Sequence, residues 1–197
     1  VVQNLFLIGA SYLFYGWWDW RFLLLIFLST VVDFFVGQKI YQNIEVKRKA
    51  RYWLWVSMAF NIGMLGFFKY SNFFVDSFIH LFLTLGYDIK STWTLKVILP
   101  VGISFYTFQT MSYSFDIYYK KLTPTKNFIA FTAFVSFFPQ LVAGPIERAS
   151  NLLSQIRNSR VFNYEQASSG LKLILWGLFK KMVIADSLAP LVDDIFA

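Results

Sequence analysis

The chain is 197 residues long, 57% hydrophobic and 21% aromatic, with only 15% charged residues. That balance excludes a soluble monomeric domain of this size, because too few polar side chains are at hand to cover its surface. A net charge of +7 would suit a nucleic-acid binder, yet the basic residues gather in short segments between apolar runs, where they report membrane topology instead.

In chain order, residues 4–18 form a short apolar run and residues 21–40 a second, with Asp19 and Trp20 between them at a tight turn. The pair predicts a helical hairpin. The second run ends in Lys39, and Glu45, Lys47, Arg48, Lys49 and Arg51 follow as a basic loop, which the positive-inside bias places in the cytoplasm. Residues 52–85 are then too long, at 1.5 Å per residue, for one straight crossing of a ~30 Å hydrocarbon core. They are expected to tilt, bend or lie partly in the interface. Tyr and Trp cluster at the ends of these runs, as in interfacial belts.

A polar external loop is expected over residues 86–94, leading into a span over 95–119 that meets Lys120, Lys121 and Lys126. Residues 127–145 are apolar but broken by Pro139 and by Gly144 with Pro145, since proline removes a donor and disfavours helix in the residue before it. Basic segments flank this stretch on both sides, the later one carrying Arg148, Arg157 and Arg160. Both belong in the cytoplasm, so the stretch between them is expected to be re-entrant, covered by protein or lining a water-filled cavity. Residues 168–188 form the last apolar helix, interrupted by Lys180 and Lys181, which snorkel to an interface or cap a helix end. The fold class expected is an all-α integral membrane protein, a multi-helix transmembrane bundle with a re-entrant segment, treated as a single domain over 1–197. The absence of an initiator Met at Val1 and the apolar run at residues 187–197 lead us to expect further sequence at both ends.

The chain has no cysteine, which removes disulfides, thiolate metal clusters and cysteine nucleophiles. His80 is the one histidine, and its setting suits an interfacial or helix-packing role better than catalysis or a metal site. Asp33, within a span, is placed to accept a hydrogen bond from a neighbouring helix, whereas Asp116 stands at the interfacial end of its helix near Lys120 and Lys121. Lys69 is expected to snorkel. Ser104, Thr107, Gln109, Thr110 and Ser112 fall on nearby faces of one helix, equally suited to helix packing or to a substrate groove. No nucleophile elbow, phosphate loop or zinc signature is present.

The ordered segments SYLFYGWWDWRF, NIGMLGFFKYSNFF, LPVGISFYTFQTMSYSFDIY, FVSFFPQLVAGPIERASNLLSQI and LILWGLFKKMVIAD resemble the membrane-bound O-acyltransferase (MBOAT) family. The closest likeness is to its bacterial branch that O-acetylates alginate and related polysaccharides. The resemblance implies an N-terminal part of a larger MBOAT-type fold, in a multi-pass protein of the bacterial inner membrane. It also implies a catalytic histidine in a downstream tryptophan-histidine motif that does not occur in these residues, so no catalytic residue is assigned here. As cavity or motif positions it points to Ser104, Phe105, Gln109, Asp116, Pro139, Gln140, Gly144, Pro145 and Arg148. No metal and no tightly bound cofactor is implied; the acyl donor is acetyl-CoA or an acyl carrier protein.

The function this resemblance implies is transfer of an acetyl group from a cytoplasmic donor toward a cell-envelope or exported polysaccharide. Periplasmic acetyltransferases of the same pathway and the lipid bilayer would be its partners, and nucleic acid would not. Transfer of D-alanyl groups to teichoic acid is an alternative within the family. A transporter is the alternative from another class, since broken helices also occur there, but no inverted repeat is visible. A non-catalytic scaffold is the third reading.

Overall fold

The computed structural model describes residues 1–85, 100, 102–141, 145 and 147–196. The elements described are all helical: α1 (Val2–Asp19), α2 (Arg21–Gln42), α3 (Lys47–Thr84), α4 (Ile103–Tyr118), α5 (Phe128–Val135), α6 (Phe138–Leu141), α7 (Ala149–Arg157), α8 (Tyr164–Phe179), a π-helical stretch over Lys180–Ala185, and α9 (Asp186–Phe196). The sequence reading takes 1–197 as one domain; the contacts group it into two compact units, Val1–Ser159 and Arg160–Ala197. The expected loop over 86–94 lies outside the described residues.

The α1–α2 hairpin turns where expected. Trp20 alone separates the helices, and the Arg21 guanidinium closes on Asp19, with Nη2 at 2.6 Å from Oδ2 and Nε at 3.0 Å from Oδ1. Among the described residues α2 is the one helix both long and apolar enough to cross a membrane by itself.

Three boundaries differ from expectation. The basic residues from Lys47 to Arg51 do not form a loop but the first turns of α3, because Lys and Arg are good helix formers and their stems can lie along an apolar face. That helix runs unbroken for 38 residues, about 57 Å, and its buried positions stop at Asn61. The α4 helix begins at Ile103, after Gly102 in the left-handed region (φ 78°), and residues 95–99 of the expected span lie outside the described residues. In the second unit the lysines do not end the helix. It continues through the π-helical turns, with Lys180 Nζ 5.3 Å above the Trp176 ring and Lys181 Nζ 2.8 Å from Asp186 Oδ2.

The first unit is built on α2, α3 and α4, which pack mutually, with α1, α5, α6 and α7 against them. Its core is aromatic where α4 meets α5: Tyr113 and Phe131 pack with their rings tilted, 4.7 Å between ring centres, and Phe34 joins from α2 at 5.8 Å from Phe131. Gly37 on α2 permits this approach, since a Cβ there would come within 2.7 Å of the Tyr113 ring. Outside the core, large apolar residues such as Leu5, Phe6, Phe35, Trp55, Phe67, Phe73 and Phe78 are exposed. The second unit buries none of its described side chains.

The connections expected on one side of a membrane converge. Lys120, after α4, reaches Glu45 in the α2–α3 connection, Nζ to Oε1 at 2.8 Å. Gln38 Nε2 donates to the Thr125 carbonyl at 2.6 Å, and Asn4 Nδ2 to the Ile156 carbonyl at 3.2 Å. The chain therefore leaves this end of the bundle at Asn127 and is back at it by Arg157.

Candidate functional site

Polar side chains occupy the interface of α2, α3 and α4 because each helix repeats them one turn apart on the facing stripe: Ser29 and Asp33, Ser57 and Asn61, Thr110 and Ser114. All six are fully buried. Asp33 is the hub. Ser57 Oγ donates to its Oδ1 at 2.7 Å, and Asn61 Nδ2 reaches Oδ1 and Oδ2 at 3.0 Å and 2.9 Å. Ser29 Oγ lies 3.5 Å from Oδ2. Thr110 donates to Asn61 Oδ1 at 3.1 Å, and Ser114 meets Ser57 at 3.1 Å. A carboxylate in such a place is tolerated only when its lone pairs are satisfied, and here two helices supply the donors. Asp33 thus accepts hydrogen bonds from a neighbouring helix, as its sequence position suggested.

The broken segment packs beside this network. Asn127 caps α5, its Oδ1 accepting from the Ala130 amide at 3.0 Å. The helix stops at Val135, and the break falls at Ser136 and Phe137 rather than at Pro139. Pro139 instead lies in the first turn of α6, where the missing N–H would have had no partner in any case. The α6 turn docks near the middle of α1, the Phe138 amide donating to Ser11 Oγ at 3.3 Å and its ring lying 5.3 Å from that of Phe14. An apolar groove of 720 Å³ runs along this junction between Ala10, Leu13, Trp17 and Phe138.

The residues singled out in the sequence separate into three groups. Gln109 and Gln140 are buried against the broken segment: Gln109 Nε2 donates to the Phe134 carbonyl at 2.9 Å, while neither amide atom of Gln140 has a hydrogen-bond partner among the described residues. Ser104 and Phe105, half-buried, open α4 close by, where Gly102 abuts the backbone of Leu141. Asp116 is buried nearer the basic end, its Oδ2 without a hydrogen-bond partner among the described residues and its carbonyl accepting from the amides of Lys121 and Leu122. Pro139, Pro145 and Arg148 are exposed, Arg148 standing at the start of α7. Gly144 lies outside the described residues. Of the serine and threonine set, Thr107 and Thr110 are buried and Ser112 bonds back to the Gln109 carbonyl.

Ser29, Ser57 and Ser114 were not singled out in the sequence. Their signal was the repeated one-turn spacing of polar pairs on three apolar helices, legible once the helices are set side by side. His80 and Lys69 are exposed on the outer half of α3, apart from this cluster. Among the described residues no group of histidines and carboxylates is placed to hold a metal ion.

Over 195 residues, 99% of its length, the chain is 38% identical to the probable alginate O-acetylase AlgI of Azotobacter vinelandii and 40% identical to that of Pseudomonas aeruginosa. It is also 35% identical, across 96% of its length, to the peptidoglycan O-acetyltransferase of Helicobacter pylori. It spans 38%, 37% and 40% of these proteins respectively, about two-fifths of their length. No family model matches the chain, and no solved structure matches it.

Proposed function

We propose, for a chain homologous along nearly its whole length to O-acetylases of the MBOAT type, that it forms the entry portion of a membrane enzyme acetylating an envelope or exported polysaccharide. The carrying observation is Gln140. Its amide is buried on the turn where the broken segment reaches the middle of α1, with no hydrogen-bond partner for either polar atom among the described residues. Buried amides are seldom left so, and a passing acyl carbonyl or acceptor hydroxyl would complete its bonding. The re-entrant reading of 127–145 rests on the same geometry, since irregular backbone at membrane depth is expected where it lines a cavity.

In the overall reaction, the donor's thioester C–S bond breaks as an ester bond forms to a polysaccharide hydroxyl, and a base takes the hydroxyl proton and returns it to the leaving thiolate, which departs as a thiol. On this reading the base is the histidine that the family resemblance places downstream. Gln140 holds the acyl group or its acceptor, and the Asp33 network keeps α2, α3 and α4 in register around the passage. The donor is a cytoplasmic thioester, acetyl-CoA or an acyl carrier protein, and periplasmic acetyltransferases complete the transfer. A bacterial inner membrane is the location that fits this chemistry.

The test is made in the full-length protein. Replacing Gln140 by Leu, which keeps its bulk, should lower polysaccharide O-acetyl content by about tenfold or more, the scale of a lost hydrogen bond to a reacting group. Membrane abundance and thermal stability should hold. Undiminished acetylation in Q140L would sink this role.

A further inference from the structure

The helix α3 outreaches the elements packed on it, which among the described elements are α2 and α4. Thr110 and Ser114 meet Asn61 and Ser57, so α3 and α4 run antiparallel, in a register that sets Gly102, the cap before α4, level with Lys69. Asp33, bonded to Ser57 and Asn61, likewise sets Arg21 at the start of α2 level with about residue 71. Residues 72–84 therefore carry α3 about 20 Å past both neighbours, away from its basic end.

On that projecting length the two sides of the helix differ. Asn72 and Asp76 lie five helical turns, about 18 residues, beyond Leu54 and Met58, which are buried against the bundle. They continue the inward face of α3 where α2 and α4 no longer cover it, and both are exposed. His80 and Thr84, also exposed, extend the row at one-turn spacing, and Lys69 stands at its foot. The opposite side is apolar and exposed at Phe67, Phe74, Phe78 and Leu81. A helix so divided faces two surroundings: the aromatic side suits lipid, and the polar row suits water or a polar ligand. Cover by another apolar helix would strand the Asp76 carboxylate, which makes no ion pair among the described residues. At the level of Lys69 lies the mid-depth turn, where Gly102 abuts the Leu141 backbone next to Gln140.

We propose that Lys69, Asn72, Asp76 and His80 bind the hydroxyl-rich acceptor, a saccharide chain, and lead it down α3 onto the turn that carries Gln140. The inference deepens the acetylation reading and rests on it. Asp76 accepts hydrogen bonds from sugar hydroxyls, Lys69 donates to sugar oxygens, and Asn72 and His80 do both. Because the row repeats at each turn, it offers a linear polymer successive contacts along its length.

The experiment uses the full-length protein, freed of any other cysteine, in nanodiscs. Single cysteines N72C, D76C and H80C on the row, and K47C at the other end of α3, are labelled with a membrane-impermeant maleimide. The probe is a set of oligosaccharides cut from the producing cell's own O-acetylated envelope polysaccharide and stripped of acetyl with base. The row should label, and oligosaccharide should slow it by about fivefold or more, since a site four-fifths filled leaves its thiol free one-fifth of the time. K47C should keep its rate. D76A/H80A, read at N72C, should need about tenfold more oligosaccharide for the same protection. A row that stays unlabelled, as under a covering segment of protein, overturns the proposal, and so does labelling that the oligosaccharide leaves unchanged or a D76A/H80A variant protected like the parent. If the row fails in any of these ways while Q140L still loses acetylation, the role of Gln140 stands and this inference alone falls.

Discussion

The side-chain amide of Asn61 donates to both carboxylate oxygens of Asp33, at 3.0 Å and 2.9 Å, across 28 residues of sequence. That pair fastens α2 to α3, and Thr110 extends it to α4 through the Asn61 carbonyl oxygen. Replacing Asn61 by Leu should therefore cost about 1–3 kcal/mol, because it removes the Asn61 donor from both oxygens of the buried Asp33 and leaves only Ser57 and Ser29 on them. The D33A/N61A double variant should lose less than the sum of the single variants, since both remove one interaction. Thermal unfolding of the full-length protein in detergent measures both.

Gly102 should tolerate no side chain. Its φ of 78° disfavours an L-residue, and an added Cβ would run into the carbonyl oxygen of Leu141. G102A is expected to push α6 off α4 at a cost of about 2 kcal/mol or more, and to impair acetylation in step with stability. Q140L, in contrast, should lose acetylation alone, so the two variants together distinguish displacement of the turn from loss of its amide.

Gln109 ties α4 to the last turn of α5 through the Phe134 carbonyl. Gln109→Leu leaves that buried acceptor without its donor and should destabilise the protein by about 1–3 kcal/mol. Amide exchange of the α5 backbone should rise before that of α2. Equal protection of α5 in variant and parent would show that packing of Phe131 and Phe134 suffices.

The hydrogen bond and charge of Lys120 hold the Glu45 carboxyl below its ordinary value of 4.5. A lowered acid pKa stabilises the fold above the unfolded value, and that contribution is lost as pH falls from about 4.5 through the folded pKa. The two side chains are exposed, so the effect is small. K120Q should melt slightly below the parent at neutral pH and converge with it in acid. A gap that persists below that window would assign the difference to something other than this pair.

Much of the architecture was readable because its causes are local. The Asp19–Trp20 turn, the basic connections and the interrupted stretch after Lys126 all announce themselves by composition. What escaped depended on neighbours. Pro139 reads as a breaker in isolation, but a proline in a first turn breaks nothing, and the true stop at Ser136 and Phe137 carries no strong signal. The lysines at 180 and 181 read as an interruption, and the helix does change to π-helical turns there, with an aromatic ring and an aspartate beside them. Ser57 and Ser114 gain meaning only opposite Asp33, and no inspection of a single helix reveals that. Gln140, by contrast, was named from a family likeness and Gln109 from that likeness and from the polar spacing along its helix; both side chains are buried.

The return of the chain to its starting end between Asn127 and Arg157 bears on how sidedness is counted. By hydropathy the run from Phe128 to Leu141 resembles a short crossing, and scoring it as one would invert the assignment of everything after it. An excursion that comes back has even parity: it adds length and a mid-depth turn but exchanges no inside for outside. A reporter fused just after Arg157 should accordingly give the same compartment signal as one inserted after Lys120, and a map of the remaining chain should start from that shared side.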